Sequence, residues 1–386
     1  MNIKELRSAY KGLGLQKTCE FLAESLESKQ LRPEDMSIRD VAEVTLGSEA
    51  VRSMDPRRGG VSLVLEDGVD STAFSNITGQ IVYSKILEAY QKPAFWASGI
   101  VPVVPTRFSG EKIAGMDRLG DKAETVDEGM PFPNVGYGED YIETPTTTKR
   151  GAIVPVTKEA IFFDRTGLIL QRAAEVGEMM GLNKEKRLLD LILGVTNNYK
   201  WKGTSYSTYV STPWDNTNTN TLVDYTDIDE AEQLFAAMTD PATGEPILIN
   251  PANMTLVVMP DNRHRARSIL NATSLVYGIP SSASVQTLTT SPNTLNPYKL
   301  QDNTALAKAR LVASGVSAAD AAKYWFLGDF SKAFAYMENW PITVVQAPAN
   351  NEAEFTQDIV ARYKVSERGV GAVMNPRFVV QSTGAS

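Results

Sequence analysis

Lys149-Arg-Gly-Ala-Ile-Val-Pro-Val-Thr-Lys-Glu-Ala-Ile-Phe-Phe-Asp-Arg-Thr-Gly167 joins two segments of opposite character. Before it lies a polar, glycine-punctuated stretch. Thr106-Arg-Phe-Ser-Gly-Glu-Lys-Ile113 leads into a charged tip, Arg118 to Gly129, and the chain returns through Tyr141 to Val156. Two strand-like runs flanking a hydrophilic tip predict a long hairpin arm over 106–150. Such an arm buries little of itself and is marginal in isolation, so it needs a surface elsewhere to lie on. After the quoted stretch the sequence is helix-compatible to Leu193, with Asp164 placed to cap the start and Gly194 placed for a left-handed C-terminal residue. Leu170, Ala173, Ala174, Gly177, Met180, Gly181, Leu188, Leu191 and Ile192 share one face of it. About 30 helical residues span roughly 45 Å. Gly177 and Gly181 each cost about 1 kcal/mol in a helix interior, which is offset most readily where another backbone packs closely against them.

Working outward, Ile3, Leu6, Tyr10 and Leu13 have helical spacing, as do Cys19, Phe21, Leu22 and Leu26, and Pro33 opens a third short helical piece reaching Val44. Asp55-Pro-Arg-Arg-Gly-Gly60 reads as an extended linker. Ser71 is placed to cap a helix carrying Ile77, Ile81, Val82, Ile86, Leu87 and Tyr90 on one side and ending before Pro93. Residues 197–226, rich in Asn, Thr, Tyr and Trp, read as a long surface loop. The pattern then turns α/β: a helix over Ile228–Met238, short strands at Ile247–Ile249 and Met254–Met259, and a helix from Pro260 through Ile269. Residues 274–298 are again loop-rich, and alternation over Ile359–Val380 predicts a long-stranded sheet packed on the 166–193 helix. The fold class is α+β.

Composition narrows the function. With 42% hydrophobic and 22% charged residues over 386 positions, the chain can bury a core in two or three lobes. Its apolar runs fall far short of a membrane span, and its first residues lack the apolar core of a secretory signal. One cysteine, Cys19, excludes an intramolecular disulfide framework. A net charge of -8 argues against gripping nucleic acid as the main task, while leaving room for a local basic surface.

The chemistry expected of an enzyme is missing. His264 is the single histidine, in Asn262-Arg-His-Arg-Ala-Arg267, with no nucleophile or orienting motif beside it, so it reads as a solvated or inter-subunit polar residue. Val135-Gly-Tyr-Gly138 has neither phosphate-loop nor dinucleotide-loop context. The carboxylate pairs Asp127/Glu128 and Glu139/Asp140 lie in the arm, where cations of a neighbouring subunit suit them better than a sugar cleft. The Asp215 tract lacks calcium-loop spacing. The basic groups Arg57/Arg58 and Arg263/Arg265/Arg267 lack the interleaved aromatics of single-strand binding. No catalytic, metal or cofactor residue is expected.

Taken together, the charged hairpin with Arg118-Leu-Gly-Asp121, the quoted stretch and the long helix resemble the major capsid proteins of tailed bacteriophages (Caudoviricetes) with the HK97-type fold. So do KYWFLGDFSKAFAYMENWPITVVQ at 323–346 and EFTQDIVARYKVSERGVGAVMNPRFVVQ at 354–381. The likeness in element order covers roughly Ser71 to Gln381. It implies an N-terminal helical segment at 1–52, an N-arm at 53–105 with a helix at 71–91, and an E-loop at 106–150. A P-domain would comprise 151–194 and 341–386, and an A-domain 195–340. It further implies a non-enzymatic structural protein that self-assembles into hexamers and pentamers of an icosahedral head enclosing double-stranded DNA. The virion would be its location, assembled in the host cytoplasm. Its partners would be copies of itself, scaffolding, portal and decoration proteins, and packaged DNA touched non-specifically, with no membrane involved. Inter-subunit contact is expected through Arg118, Asp121, Lys122, Glu124, Asp127 and Glu128. Some relatives join an arm lysine to a P-domain asparagine. Lys112 or Lys122 with Asn350 or Asn351 match that by region only, and non-covalent shells are the expectation here. Two other readings remain open: an encapsulin-like compartment, and a soluble glycan-binding protein using the aromatic 197–226 loop.

Overall fold

The computed structural model describes residues 3–47, 51, 68–114, 141–163, 165–239, 244–247, 253–279, 287–293, 295, 298–347 and 359–384. They form two compact units. One comprises Met1–Phe95, Thr148–Lys184 and Trp340–Gly369, and the other Trp96–Thr147, Glu185–Asn339 and Val370–Ser386.

In the first unit the helix Ile3–Glu27 is broken at Gly14, where φ is +76°. The helix Ile38–Thr45 starts at Ser37, whose hydroxyl accepts from the Asp40 amide. The helix Gly68–Tyr90 begins three residues before the expected cap, so Ser71 lies inside it. Its buried residues Phe74, Ile77, Ile81, Val82 and Ile86 repeat at three- and four-residue steps and join one core with Leu22, Leu26, Leu170, Ala173 and Met180. The helix Thr166–Ile192 runs close to its expected length. Asp164 lies outside the described residues. Gly194 closes the helix at φ +72°, with its amide on the Leu191 carbonyl and Thr196 on that of Asp190.

The helical glycines have the expected cause. A Cβ built on Gly177 would sit 2.3 Å from the Ile86 carbonyl oxygen, and one on Gly181 would sit 2.7 Å from that of Tyr90. The two helices therefore pack backbone to backbone. Beneath them, Ile359–Val373 pairs antiparallel with Thr148–Thr157, Ala361 opposite Val156 through Gly369 opposite Thr148. Ala361, Tyr363, Val365, Val154 and Val156 enter the same core.

The expected strand run to Val380 is divided. After Val373 the chain makes a short turn, Pro376–Phe378, in which Asn375 accepts from the Arg377 amide. Val379–Ser382 then joins a different sheet, in the second unit. Proline cannot donate to a ladder, so Pro376 marks the change of sheet. That sheet has the order Lys299–Gln301, Thr255–Val258, Trp325–Gly328, Val379–Ser382, Thr217–Asn218. Its central strands are buried on both faces and read as unbroken apolar runs. Leu256, Val258, Trp325, Leu327 and Val380 face Ile228, Phe235 and Leu270. Val257, Phe326 and Val379 face Leu189, Ile192, Ala307 and Leu311.

Two loop expectations are corrected. Tyr199–Trp201 and Thr204–Tyr206 form an antiparallel pair, and Ser274–Ile279 pairs with Thr287–Pro292. Thr, Val and Tyr in both regions suit strands, and the polar composition masked that. Of the expected strand at 247–249 only Ile247 is described, its amide bonded to the Met238 carbonyl.

Also within the second unit, Glu185 is fully buried and accepts from the Ala97 and Ser98 amides (2.8 and 2.9 Å) and the Ser98 hydroxyl (2.8 Å). It supplies the first turn of the helix Trp96–Ile100 with acceptors that the local sequence lacks.

Two substitutions test these contacts. Gly177→Ala should lower the urea midpoint, because about 1–3 kcal/mol of overpacking exceeds the ~1 kcal/mol gained in helix propensity. An unchanged or higher midpoint would show that the helices can separate freely. Glu185→Ala should destabilise the chain by about 3 kcal/mol in equilibrium denaturation, through stranded donors, and a loss below ~1 kcal/mol would count against the cap.

Candidate assembly interface

The root of the predicted arm is described and its tip is not. Lys112–Ala114 pairs antiparallel with Tyr141–Glu143, Lys112 opposite Glu143. Residues 115–140 lie outside the described residues, and with them Arg118, Asp121, Lys122, Glu124, Asp127, Glu128, Glu139 and Asp140. So do Asn350, Asn351, Arg57 and Arg58.

The root is closed by a double exchange. Thr144 donates its amide to the Glu111 carbonyl at 2.9 Å, and its hydroxyl oxygen accepts from the Glu111 amide at 2.9 Å. Glu143 carries the electrostatics. It is bonded to Lys200 and lies 3.6 Å from Lys112. The Lys200 bond, with Lys112 adding to it, holds this half-buried carboxyl below its ordinary range. Lys112 also sits 4.3 Å from the Tyr141 ring centroid, a cation–π distance.

Two further ties fix the arm to the second unit. Ile142 pairs with Trp201, adding the arm to the Tyr199–Tyr206 hairpin. Ahead of it, Val103–Pro105 lies parallel to Tyr336–Glu338, and Asn339 donates its side-chain amide to the Thr106 and Phe108 carbonyls at 3.0 Å each. Phe108 is 66% exposed beside this clamp.

The aromatic residues of 197–226 do not form an open platform. Tyr199 and Trp214 are buried and meet edge to face at 5.5 Å, with Tyr206 at 5.3 Å from Trp214. Arg377, itself buried, lies 5.4 Å from the Trp214 ring and 5.9 Å from Trp201. The rings of Tyr199 and Trp214 are used inside the fold and are not open to stack on sugars. His264 is exposed, and its neighbours are occupied by the fold. Arg263 and Arg267 reach Asp302, and Arg265 donates to the Leu222 carbonyl. Cys19 is half-buried, and burial pushes its thiol up, away from nucleophilic use. Among the described residues no cluster of three His, Cys, Asp or Glu could hold a metal, and no helix is long and apolar enough to cross a membrane.

Residues 141–382, more than half the chain, match the family described as phage capsid protein. The chain belongs to that family, and the likeness to phage capsid proteins read from the sequence holds. Its role is structural, in the capsid, and not enzymatic. No curated protein sequence matches. Similar solved structures include the capsid of the native GTA particle, with 12% identity and a TM-score of 0.46 over 76% of this chain and 91% of that one. A phage-related protein from Bordetella bronchiseptica has 13% identity and a TM-score of 0.42 over 79% and 96%. The virus-like particle from Pyrococcus furiosus has 11% identity and a TM-score of 0.40 over 78% and 97%.

Asn339→Ala should open the clamp at 106–108. With about 1 kcal/mol lost per bond, amide exchange at Phe108 and Glu111 should quicken by roughly tenfold or more, while that of the 325–328 strand stays constant. Equal exchange in both proteins would show that the two bonds do not hold the arm.

Proposed function

We propose that this chain is the major capsid protein of an HK97-type icosahedral phage head, assembling as hexamers and pentamers around double-stranded DNA. Its first partner is itself. Scaffolding, portal and decoration proteins are further partners, and assembly takes place in the host cytoplasm on the way to the virion. The reading divides the chain into an N-terminal segment at 1–52, an N-arm at 53–105, an E-loop at 106–150, a P-domain at 151–194 and 341–386, and an A-domain at 195–340.

The observation that carries this reading is the closed and tethered arm root, in a chain of the capsid family. The root is paired at Lys112–Ala114 and Tyr141–Glu143 and held again by Asn339. A segment of 115–140 with seven carboxylates and two cations issues from it. Such a segment has little to bury on its own subunit, and its charges Arg118, Asp121, Lys122, Glu124, Asp127 and Glu128 suit contact with a neighbouring copy. Repeated over a closed shell, modest contacts of this kind add up.

Deleting 115–136 should leave a subunit with the circular dichroism and unfolding midpoint of the full chain, yet one that forms no shells in electron micrographs. Normal particles from the deletion would refute the arm's role, and a full-length chain that never forms particles would refute the reading as a whole. On denaturing gels, particles should run as a single band at the 42.2 kDa subunit mass.

A further inference from the structure

Arg377 keeps only 5% of its surface exposed, yet no carboxylate among the described residues answers it. Its one hydrogen bond there runs from the backbone amide to the Asn375 side chain at 3.1 Å, and its guanidinium donates to nothing. Asp329, whose amide bonds to the adjoining Phe378 carbonyl, commits its carboxylate to the Ser331 hydroxyl at 2.5 Å and to Lys332 at 3.6 Å. What meets the guanidinium is aromatic, the rings of Trp214 and Trp201 at 5.4 and 5.9 Å.

Two further polar groups of this cluster are unsatisfied. The Trp214 indole N–H and the Thr208 hydroxyl are sealed from solvent and have no hydrogen-bond partner among the described residues. The frame beneath them is fixed. Asn216, fully buried, donates its side-chain amide to the Thr208 and Pro376 carbonyls at 2.9 and 3.0 Å and accepts from the Val210 amide at 2.8 Å. The 208–216 loop is thereby tied to the Pro376–Phe378 turn that carries Arg377.

A cation–π contact returns less than the withdrawal of a charge from water costs, and it leaves the guanidinium N–H groups unpaired. The two rings therefore do not balance the burial of Arg377. A water molecule would accept from the indole or the hydroxyl but bring no charge. A carboxylate brings both charge and acceptors, and its planar pair of oxygens matches the guanidinium fork through two parallel bonds. Access is through the guanidinium, whose nitrogens, unlike the indole and hydroxyl, keep contact with solvent. So narrow an opening admits the end of an acidic side chain or a small acid, and excludes a polyanion lying along the surface.

We propose that Arg377, lined by Trp214 and Thr208, anchors a carboxylate-binding site. Its ligand is an aspartate or glutamate side chain of a neighbouring copy or a small free acid in ionised form. The first of these sources rests on the shell reading above, and the site itself does not.

The test reads the indole N–H signals of the five tryptophans in the unassembled full-length chain by isotope-edited NMR, Trp214 being assigned by its loss in Trp214→Phe. Sodium acetate should shift the Trp214 signal saturably. Acetamide, of the same shape without the charge, and sodium chloride at matched ionic strength should leave it in place. Trp325, whose indole already donates to the Asn220 carbonyl at 2.9 Å, should stay fixed throughout. Arg377→Lys keeps the charge and loses the fork, and should weaken acetate binding about tenfold or more. An unmoved Trp214 signal, an equal shift with acetamide or chloride, or unchanged acetate affinity in Arg377→Lys would overturn the proposal. Acetate against acetamide is read on the wild-type chain alone, so it decides the matter even where the variant does not fold. The source is read by electron microscopy. Fewer particles in acetate than in chloride assign the ligand to a neighbouring copy, and equal yields assign it to a free acid. Particles that form in neither buffer would sink the shell reading and leave the titration standing.

Discussion

Everything in the first unit depends on how closely two helical backbones can approach. Gly177 and Gly181 let the Thr166–Ile192 helix lie against the carbonyls of Ile86 and Tyr90. At that separation Ile81, Val82 and Ile86 reach the core that Leu170, Ala173 and Met180 also fill. The sheet residues Tyr363 and Val365 close the same core from the other side. A larger residue at either glycine would push the helices apart and open space beneath them, because a packed interior has no slack to take up the shift. The helix accepts about 1 kcal/mol per glycine in lost propensity, and the apolar burial gained around the contact is larger.

The parts of the fold legible in the sequence are those in which side-chain period and local chemistry agree. The 166–192 helix, its glycine close approach, the Gly194 terminus and the buried Thr255–Val258 strand all carry such a signal. What could not be read depended on partners distant in sequence. Nothing near Trp96 announces that Glu185 will cap it. The Tyr199–Trp201 strand was hidden by asparagines and threonines, because its stability comes from Trp214 and from Arg377, which arrives from much later in the chain. The end of the 359–373 strand is hidden for the related reason that apolar residues continue past Pro376 while the pairing partner changes. Of the candidate interface, the paired root was legible as a hairpin, whereas the Asn339 clamp was not, since an isolated asparagine carries no pattern.

Charge is distributed with the same economy. Cations and carboxylates that the fold needs are paired within it, as in the two-pronged bond of Arg310 to Asp190 at 2.6 and 2.7 Å. That bond holds the Ala305–Ala313 helix to the helix ending at Ile192.

The closed root of the arm also makes the chain modular. The Thr144–Glu111 exchange and the pairing of Lys112–Ala114 with Tyr141–Glu143 finish the body before the tip begins. Loop-closure entropy rises only slowly with length, about 0.6 kcal/mol for each doubling. Peptides spliced between positions 114 and 141 would thus be carried by the subunit at little thermodynamic penalty. The same site can take added length for foreign display, provided the charged tip residues are kept.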